Sequence, residues 1–252
     1  MSAADVVERV TATVGHLRVT VGADGGADWI PSEPLVDDPD RLIELVRATA
    51  ADRGTDRDDV ATSLFVQGYA FRIASVAIGA WLLDDVVLDV RPARTAIALG
   101  RARPNAVRLD DAVLVETGLV DGDALAALHD VLVDDHLARL VATAHDACRI
   151  GEALLWSNVG AGCASSFGAF MGPLEDRRPE IRDRFQAFLA AARPELRRSG
   201  RIAPVGPLWA WERSACCLWY TTESGFRCED CSLWTADERQ ARYDRVLAEL
   251  GS

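Results

Sequence analysis

The spacing of apolar residues predicts a mainly helical chain. In DDPDRLIELVRATAADRG, an Asp-Pro start precedes Leu42, Leu45, Val46 and Ala50 at helical intervals. Apolar residues recur at similar three- and four-residue steps through most of residues 123–195, which predicts a succession of amphipathic and packed helices there.

The last predicted helix has clear end signals. Thr235 followed by Glu238 is a capping-box pair, and Gly251 stands where the helix would stop. Between these two signals, four apolar side chains share one face. They are Tyr243, Val246, Leu247 and Leu250.

Two regions show the alternating pattern of strands. Residues 14–36 contain the run HLRVTV, the glycine-rich GADGGAD and then WIPSEPLV, which predicts a hairpin or a pair of edge strands. Residues 86–115 contain three short β-prone runs separated by Pro92, Gly100 and Pro104, which predicts an antiparallel meander. With the helices, these runs predict an α+β fold that is predominantly helical and has a small antiparallel β meander.

The most apolar stretch, residues 61–83, predicts a helix buried in the core. Its length alone would allow it to cross a membrane. Gln67 and Arg72 lie in its middle, however, and acidic residues rather than Arg flank it, which does not suit a bilayer or the positive-inside pattern. A protein that does not span the membrane is therefore expected.

The charge of the chain limits its partners. With 27 basic and 39 acidic residues among 252, the net charge is −12. Such a surface repels nucleic-acid backbones and anionic lipid head groups, so neither is expected as a partner. The N-terminal residues MSAADVVERVTATVG lack the basic and apolar regions of a secretory signal, which predicts a cytoplasmic protein whose cysteines stay reduced.

The cysteines carry the strongest chemical signal. Four of the six lie at Cys216, Cys217, Cys228 and Cys231, in RSACCLWYTTESGFRCEDCSLW. In a reducing compartment such a cluster favours metal binding or redox chemistry. The C-x2-C pair is a usual metal knuckle, whereas neighbouring side chains in an extended strand point to opposite faces. Either the backbone twists at the adjacent pair, or its two thiolates reach different irons. A structural zinc site and unligated thiols are the simpler alternatives.

The spacing C-C-x10-C-x2-C resembles the motif of the FhuF-like ferric siderophore reductases. The likeness is specific in RSACCLWY and CEDCSL and looser in SLFVQGYAFRI and LLWSNV. It implies a [2Fe-2S] cluster bound by the four cysteines 216, 217, 228 and 231. It further implies one-electron reduction of siderophore-bound Fe(III), with the siderophore expected to be a hydroxamate. No catalytic residue is expected beyond the cluster.

The resemblance also divides the chain. Residues 1–205 would form the helix-rich α+β domain and residues 206–252 the iron-sulfur segment with its capping helix. Two other functions remain open. One is an iron-sulfur electron carrier or redox sensor without siderophore specificity, and the other is siderophore biosynthesis, which the lack of a nucleotide-binding motif disfavours.

Several residues are hypothesised to contact the substrate or a partner. Near the cysteines these are Arg213, Trp219, Tyr220 and Arg227, where Trp219 could shield the cluster and also offer a platform to a chelate. Residues 176–201 hold eight Arg and four acidic residues. Arg197 and Arg198 in this stretch could dock an external electron donor such as an acidic ferredoxin or a flavin reductase system.

Other motifs favour structural roles. Cys148 and Cys163 lie on apolar helical segments, where a thiol packs as a small hydrophobe. The histidines 129, 136 and 145 lack the adjacent-turn spacing of metal ligands. Gly160 and Gly162 in NVGAGCASS imitate part of a dinucleotide fingerprint, but small residues that allow close helix packing explain them better, so no nicotinamide or flavin is expected.

Overall fold

The computed structural model describes residues 2–22, 28–100, 103–115 and 123–250. Its helices are α1 (Ala3–Thr13), α2 (Ser32–Asp37), α3 (Pro39–Ala50), α4 (Asp58–Asp84), α5 (Asp123–Leu128), α6 (Ala138–Cys148), α7 (Glu152–Met171), α8 (Arg178–Ala191), α9 (Pro194–Arg197) and α10 (Ala236–Leu250). Its strands are β1 (Arg18–Val21), β2 (Ile30–Pro31), β3 (Thr95–Gly100), β4 (Arg103–Leu109), β5 (Gly200–Val205) and β6 (Leu208–Arg213). A π-helical segment, His129–Leu137, joins α5 to α6. The α+β, predominantly helical fold class is confirmed.

Helix α4 forms the centre of the fold, at the position of the apolar stretch 61–83. Phe65, Tyr69 and Ile73 are fully buried along it. It is long and apolar enough to cross a membrane, and 72% of its most apolar window is buried inside the protein. A helix that is apolar on all sides is buried either in a membrane or in a core, and the neighbouring helices occupy those sides here.

Helix α7 packs against α4 along most of its length. The contact is close because Gly162 brings the two backbones together: a Cβ at this position would lie 2.8 Å from the backbone nitrogen of Phe71. The glycine motif in NVGAGCASS therefore serves helix packing inside α7.

The main sheet has four strands in the order β1-β4-β3-β2. β3 and β4 pair antiparallel, as the meander pattern predicts, and the run before β3 contributes an isolated bridge between Leu88 and Leu114. β1 pairs parallel with β4, and β2 pairs antiparallel with β3. The predicted hairpin at 14–36 is therefore wrong, because its two halves lie at opposite edges of the sheet. Most of its GADGGAD turn lies outside the described residues.

Two short helices near the N-terminus were not predicted from the sequence. Ser2 accepts a hydrogen bond from the backbone nitrogen of Asp5, and the Asp5 carboxylate accepts one from the Ser2 nitrogen, so α1 begins with a capping box. Val6 and Val10 of α1 are fully buried. Residues 32–37, within the segment predicted to be extended, form the short helix α2.

Strands β5 and β6 form a separate hairpin that leads into the cysteine segment. The hairpin spans residues 200–213 and so crosses the division placed at 205. Trp209 and Trp211 of β6 pack on Phe185 of α8, with ring centroids 5.0 Å and 5.6 Å away. β6 is thereby fixed against the helices, and its last residue stands three positions before Cys216.

Candidate metal centre

The four clustered cysteines lie in a loop between β6 and α10. The loop folds back so that the Sγ atoms of Cys217 and Cys228 are 3.3 Å apart. Cys217 and Cys231 are buried, whereas Cys216 and Cys228 are half-buried. The two ends of the motif thus meet, with one cysteine of each pair on the inner side.

The backbone turns sharply just after the adjacent pair. Leu218 has a φ of 68°, in the left-handed region that a branched side chain seldom occupies. The turn directs the backbone nitrogen of Leu218 to the Sγ of Cys216, at 3.4 Å. The sequence left two arrangements open for the adjacent pair, a local twist of the backbone or thiolates that reach different irons. The backbone twist is present in the structure.

The second pair sits in a tight turn. The backbone nitrogen of Cys231 donates to the carbonyl of Cys228 at 3.2 Å, and the indole nitrogen of Trp234 donates to the same carbonyl at 2.8 Å. The guanidinium groups of Arg227 and Arg242 each lie about 5 Å from the centre of the Trp234 ring. The Trp234 side chain therefore fixes the knuckle from outside.

The connection between the pairs depends on a close approach of two backbone segments. A Cβ at Gly225 would lie 1.8 Å from the carbonyl oxygen of Trp219. Only glycine fits at this point. The Trp219 ring also packs on Phe226, with centroids 4.4 Å apart.

Polar side chains of α4 and α7 hold the loop. Ser63 donates to the carbonyl of Cys217 at 2.7 Å, and the amide of Asn158 donates to the Ser63 hydroxyl at 2.8 Å. Ser157 exchanges hydrogen bonds of 3.1 Å with the backbone of Ala215. All three helical side chains are fully buried. Sequence reasoning missed them, although their signal was present as three polar residues inside apolar helices.

A buried ion pair lies behind the cysteines. The side chain of Arg213 is 0% exposed and lies 3.1 Å from the carboxylate of Asp230, which is 23% exposed. The backbone nitrogen of Arg213 also donates to the carbonyl of Asp230. Arg213 was hypothesised to contact a partner, but its burial makes it an internal positive charge that ties β6 to the second cysteine pair.

This surrounding favours a thiolate at Cys217. Sulfur hydrogen bonds from Cys216 and Cys228, together with the nearby Arg213 charge, lower the pKa of Cys217. The same bonding raises the pKa of Cys216 and of Cys228, since each shares its proton with Cys217. An electropositive, partly enclosed position of this kind is typical of cysteines that bind metals or react.

A cavity of about 410 Å³ adjoins the inner cysteine. Its lining residues include Cys217 and Trp219 of the cysteine loop and three arginines, Arg53, Arg72 and Arg103. The volume falls within the usual range for small-molecule sites. The cavity brings together the cysteine loop, α4, α7 and the adjoining ends of β3 and β4.

The other hypothesised contact residues lie away from the cavity wall. Tyr220 is exposed, and Arg227 forms a surface ion pair of 3.5 Å with Glu238. Arg197 and Arg198 are exposed at the end of α9. The other six arginines of residues 176–201 form ion pairs with neighbouring carboxylates.

The two remaining cysteines and the three histidines at positions 129, 136 and 145 pack inside the protein or bond its backbone. Burial raises the pKa of Cys163 to about 12, so this thiol stays protonated. The His136 ring bonds the Tyr69 hydroxyl at 2.7 Å, and His129 stacks on Phe188. His145 bonds the carbonyl of Ile150.

A comparison with models of known protein families identifies the family of this chain. The model of the family described as ferric iron reductase FhuF-like transporter matches residues 63–201. This range is more than half of the chain and includes most of α4, all of α7 and the β3–β4 pair.

The chain belongs to the FhuF-like ferric iron reductase family. It is therefore an oxidoreductase that acts on ferric iron. The comparison with curated proteins gives no match. The matched range contains Ser63, Ser157 and Asn158, the side chains that hold the cysteine loop, and ends before Cys216.

The FhuF-like chain offers a donor set that suits a [2Fe-2S] cluster. Four cysteines are the usual ligand number, and the site supplies a buried positive charge at Arg213 and a backbone N–H directed at one sulfur. Within the described residues, no three histidine, cysteine or acidic side chains are already arranged to hold a metal ion. Two observations therefore support the fit of a [2Fe-2S] cluster to this site: the four thiol donors, and the approach of the two cysteine pairs to 3.3 Å at Cys217 and Cys228.

Proposed function

We propose that this FhuF-like protein reduces siderophore-bound iron(III) in the cytoplasm, using a [2Fe-2S] cluster held by Cys216, Cys217, Cys228 and Cys231. Family membership supplies the reaction with ferric iron. The observation that carries the rest is that Cys217, one of the proposed ligands, lies in the wall of a cavity large enough for a small molecule. A chelate bound in this cavity would stand next to the electron source.

When bound, the cluster would supply electrons one at a time. The protein residues have other tasks. Ser63 and Asn158 fix the position of Cys217, and Arg213 offsets thiolate charge from inside the protein. Trp219 lines the same cavity as Cys217, and its bulky ring would limit the access of water to the sulfurs.

The reaction needs an external reductant. A ferredoxin or a flavin reductase system would deliver one electron for each Fe(III) that becomes Fe(II). Hard oxygen donors bind Fe(II) far more weakly than Fe(III), so the siderophore then releases its metal. No acid or base group is required for the transfer itself.

The first test is anaerobic purification with iron and acid-labile sulfide analysis, and absorption spectra before and after dithionite. Equal amounts of iron and sulfide and a bleachable visible spectrum are expected. A Cys231→Ser variant should lose the iron, whereas Cys163→Ser, a matched change at a buried cysteine outside the loop, should keep it. A colourless, zinc-loaded protein would refute the proposal.

The second test separates a reductase from an electron carrier or sensor. The reduced protein is mixed with several ferric chelates in a stopped-flow instrument, with an Fe(II)-specific chelator present. A siderophore reductase shows a preference among chelates and releases Fe(II). Oxidation at one rate by every chelate, without Fe(II) release, would identify a carrier or redox sensor.

A further inference from the structure

Arg72 lies in the wall of the cavity that also contains Cys217. It belongs to the middle of α4, the central helix. Its Nε atom donates to the carbonyl of Pro104 at 3.2 Å, and its guanidinium group lies 5.1 Å from the centre of the Phe71 ring. These two contacts hold the guanidinium group in place beside the cavity.

The charge of Arg72 is not neutralised within the described part of the chain. No carboxylate there pairs with it, and none is among the described residues that line the cavity. Its Nη1 atom is buried and has no hydrogen-bond partner among them. Burial and the nearby charge of Arg18 lower the pKa of Arg72, although an arginine stays charged at neutral pH. A negative charge that arrived nearby would offset the cost of burying this cation.

Reduction of a chelate in this cavity produces such a charge. One electron passes from the reduced cluster to chelated Fe(III), which becomes Fe(II), and the transfer makes or breaks no bond and moves no proton. The chelate therefore gains one unit of negative charge, whatever its ligand atoms. An uncharged ferric tris-hydroxamate becomes an anion in this step. A fixed cation stabilises a reaction most when it lies where the charge develops.

We propose that Arg72 is a catalytic residue whose guanidinium group contacts the bound chelate and stabilises the negative charge that the chelate gains on reduction. This inference rests on the proposed function and assigns a residue to its electron-transfer step. Because the charge appears only as the electron arrives, Arg72 stabilises the reduced chelate more than the ferric one. It thereby makes the bound Fe(III) easier to reduce and adds little to the binding of an uncharged ferric chelate.

The test compares Arg72→Gln, which removes the charge, with Arg72→Lys, which keeps it. The reduced protein is mixed in a stopped-flow instrument with a saturating concentration of ferric desferrioxamine E, an uncharged trihydroxamate complex. We expect Arg72→Gln to lower the limiting rate by about tenfold, the effect of one nearby charge in a partly solvated site. Arg72→Lys should restore most of the rate. Arg182→Gln, on α8 and outside the cavity wall, makes the same change in net charge and should leave the rate unchanged.

Binding is measured separately with the gallium(III) complex of desferrioxamine E. Gallium(III) forms complexes like those of iron(III) but does not accept the electron. In isothermal titration calorimetry, Arg72→Gln should change the affinity for this uncharged complex by less than about threefold, because one cation interacts weakly with a neutral ligand. An affinity that falls as much as the rate would make Arg72 a binding residue only and would overturn the inference.

A redox titration of the cluster without chelate separates an effect on the electron source from an effect on the acceptor. Loss of a nearby cation destabilises the reduced cluster and makes it a stronger reductant. Such a change at the source would speed up the transfer, so slower transfer points to the acceptor. The cluster potential should therefore be unchanged or lower in Arg72→Gln. A higher potential would explain slower transfer without the chelate and would refute the role of Arg72.

Two results in the rates would also overturn the inference. Arg72→Gln could keep the limiting rate of the wild-type protein, or Arg72→Lys could be as slow as Arg72→Gln, which would make the effect structural. Failure of the proposed function looks different, because the wild-type protein would then reduce no ferric chelate.

Discussion

The hydroxyl of Ser63 donates a 2.7 Å hydrogen bond to the carbonyl of Cys217, 154 residues further along the chain. Ser63 lies in the second turn of α4, the central helix, and it also accepts from the amide of Asn158 on α7. The position of the inner cysteine is thus set by the two helices that form the core.

Ser63→Ala should loosen the cysteine loop. The change leaves the Cys217 carbonyl without this donor and should lower the free energy of unfolding by about 1–3 kcal/mol. The proposed cluster should also be lost faster, as measured by bleaching of the visible spectrum in air. Ser75→Ala is the control, because Ser75 is equally buried on α4 but bonds Phe71 and Ser166. Equal bleaching rates in the two variants would contradict the assigned role.

Arg213→Gln should be among the most damaging single changes. It leaves the carboxylate of Asp230 mostly buried without its counter-charge, and loss of one partner of a buried pair costs about 3–5 kcal/mol. Arg227→Gln, in an ion pair whose two side chains are each more than 40% exposed, should cost less than about 1 kcal/mol. Urea unfolding measures both. The double variant Arg213→Gln/Asp230→Asn should regain part of the loss, and a double variant less stable than Arg213→Gln alone would argue against the pair.

Gly162→Ala should destabilise the protein although alanine favours helix. The added methyl group would meet the Phe71 nitrogen at 2.8 Å and the Ala70 Cβ at 3.0 Å. Overpacking of about 1–3 kcal/mol should then exceed the gain in helix propensity of about 1 kcal/mol. Gly172→Ala, where nothing lies within 4 Å, is the matched control. Thermal unfolding should separate the two variants, and an equally high Tm for both would show that α4 and α7 can move apart freely.

His136 should make stability depend on pH. Burial lowers its pKa from 6.5 to about 4, so the unfolded chain binds the proton more readily. The stabilisation is complete above about pH 6.5 and is lost as the pH falls towards 4. Between pH 7.5 and 5 this group alone should remove about 2 kcal/mol. His136→Gln should flatten that part of the curve, whereas His16→Gln, at an exposed position, should not. A curve unchanged by the His136 variant would be inconsistent with the burial effect.

Reversal of charge at Arg197 should slow reduction by an acidic donor. Arg197 and Arg198 are exposed, and no carboxylate of the described residues is paired with them. The double change Arg197→Glu/Arg198→Glu should lower the rate more at low salt than at high salt, because screening weakens the attraction. The double change Arg41→Glu/Arg245→Glu, at exposed positions on α3 and α10, alters the net charge by the same amount and is the control. If the rate and its salt dependence stay the same, the donor docks elsewhere.

The spacing of apolar residues was sufficient to predict the long helices. α4 and α3 follow from their apolar spacing, and the start of α10 follows from Thr235 and Glu238, whose mutual hydrogen bonds are present. These signals are local, since helix hydrogen bonds and caps join residues three or four apart. The prediction of a hairpin at 14–36 was wrong because strand pairing is not local. β1 pairs with β4 and β2 pairs with β3, so the two strands do not pair with each other.

The sequence by itself determined the helical class, the capped ends and the four cysteines whose spacing resembles an iron-sulfur motif. Only the tertiary structure decided that Arg213 is buried rather than available to a partner, and that Arg53, Arg72 and Arg103 share one cavity with Cys217. Helix periodicity reports which side of an element is apolar. It does not report which elements meet, and the charge and depth of a site arise where distant segments come together.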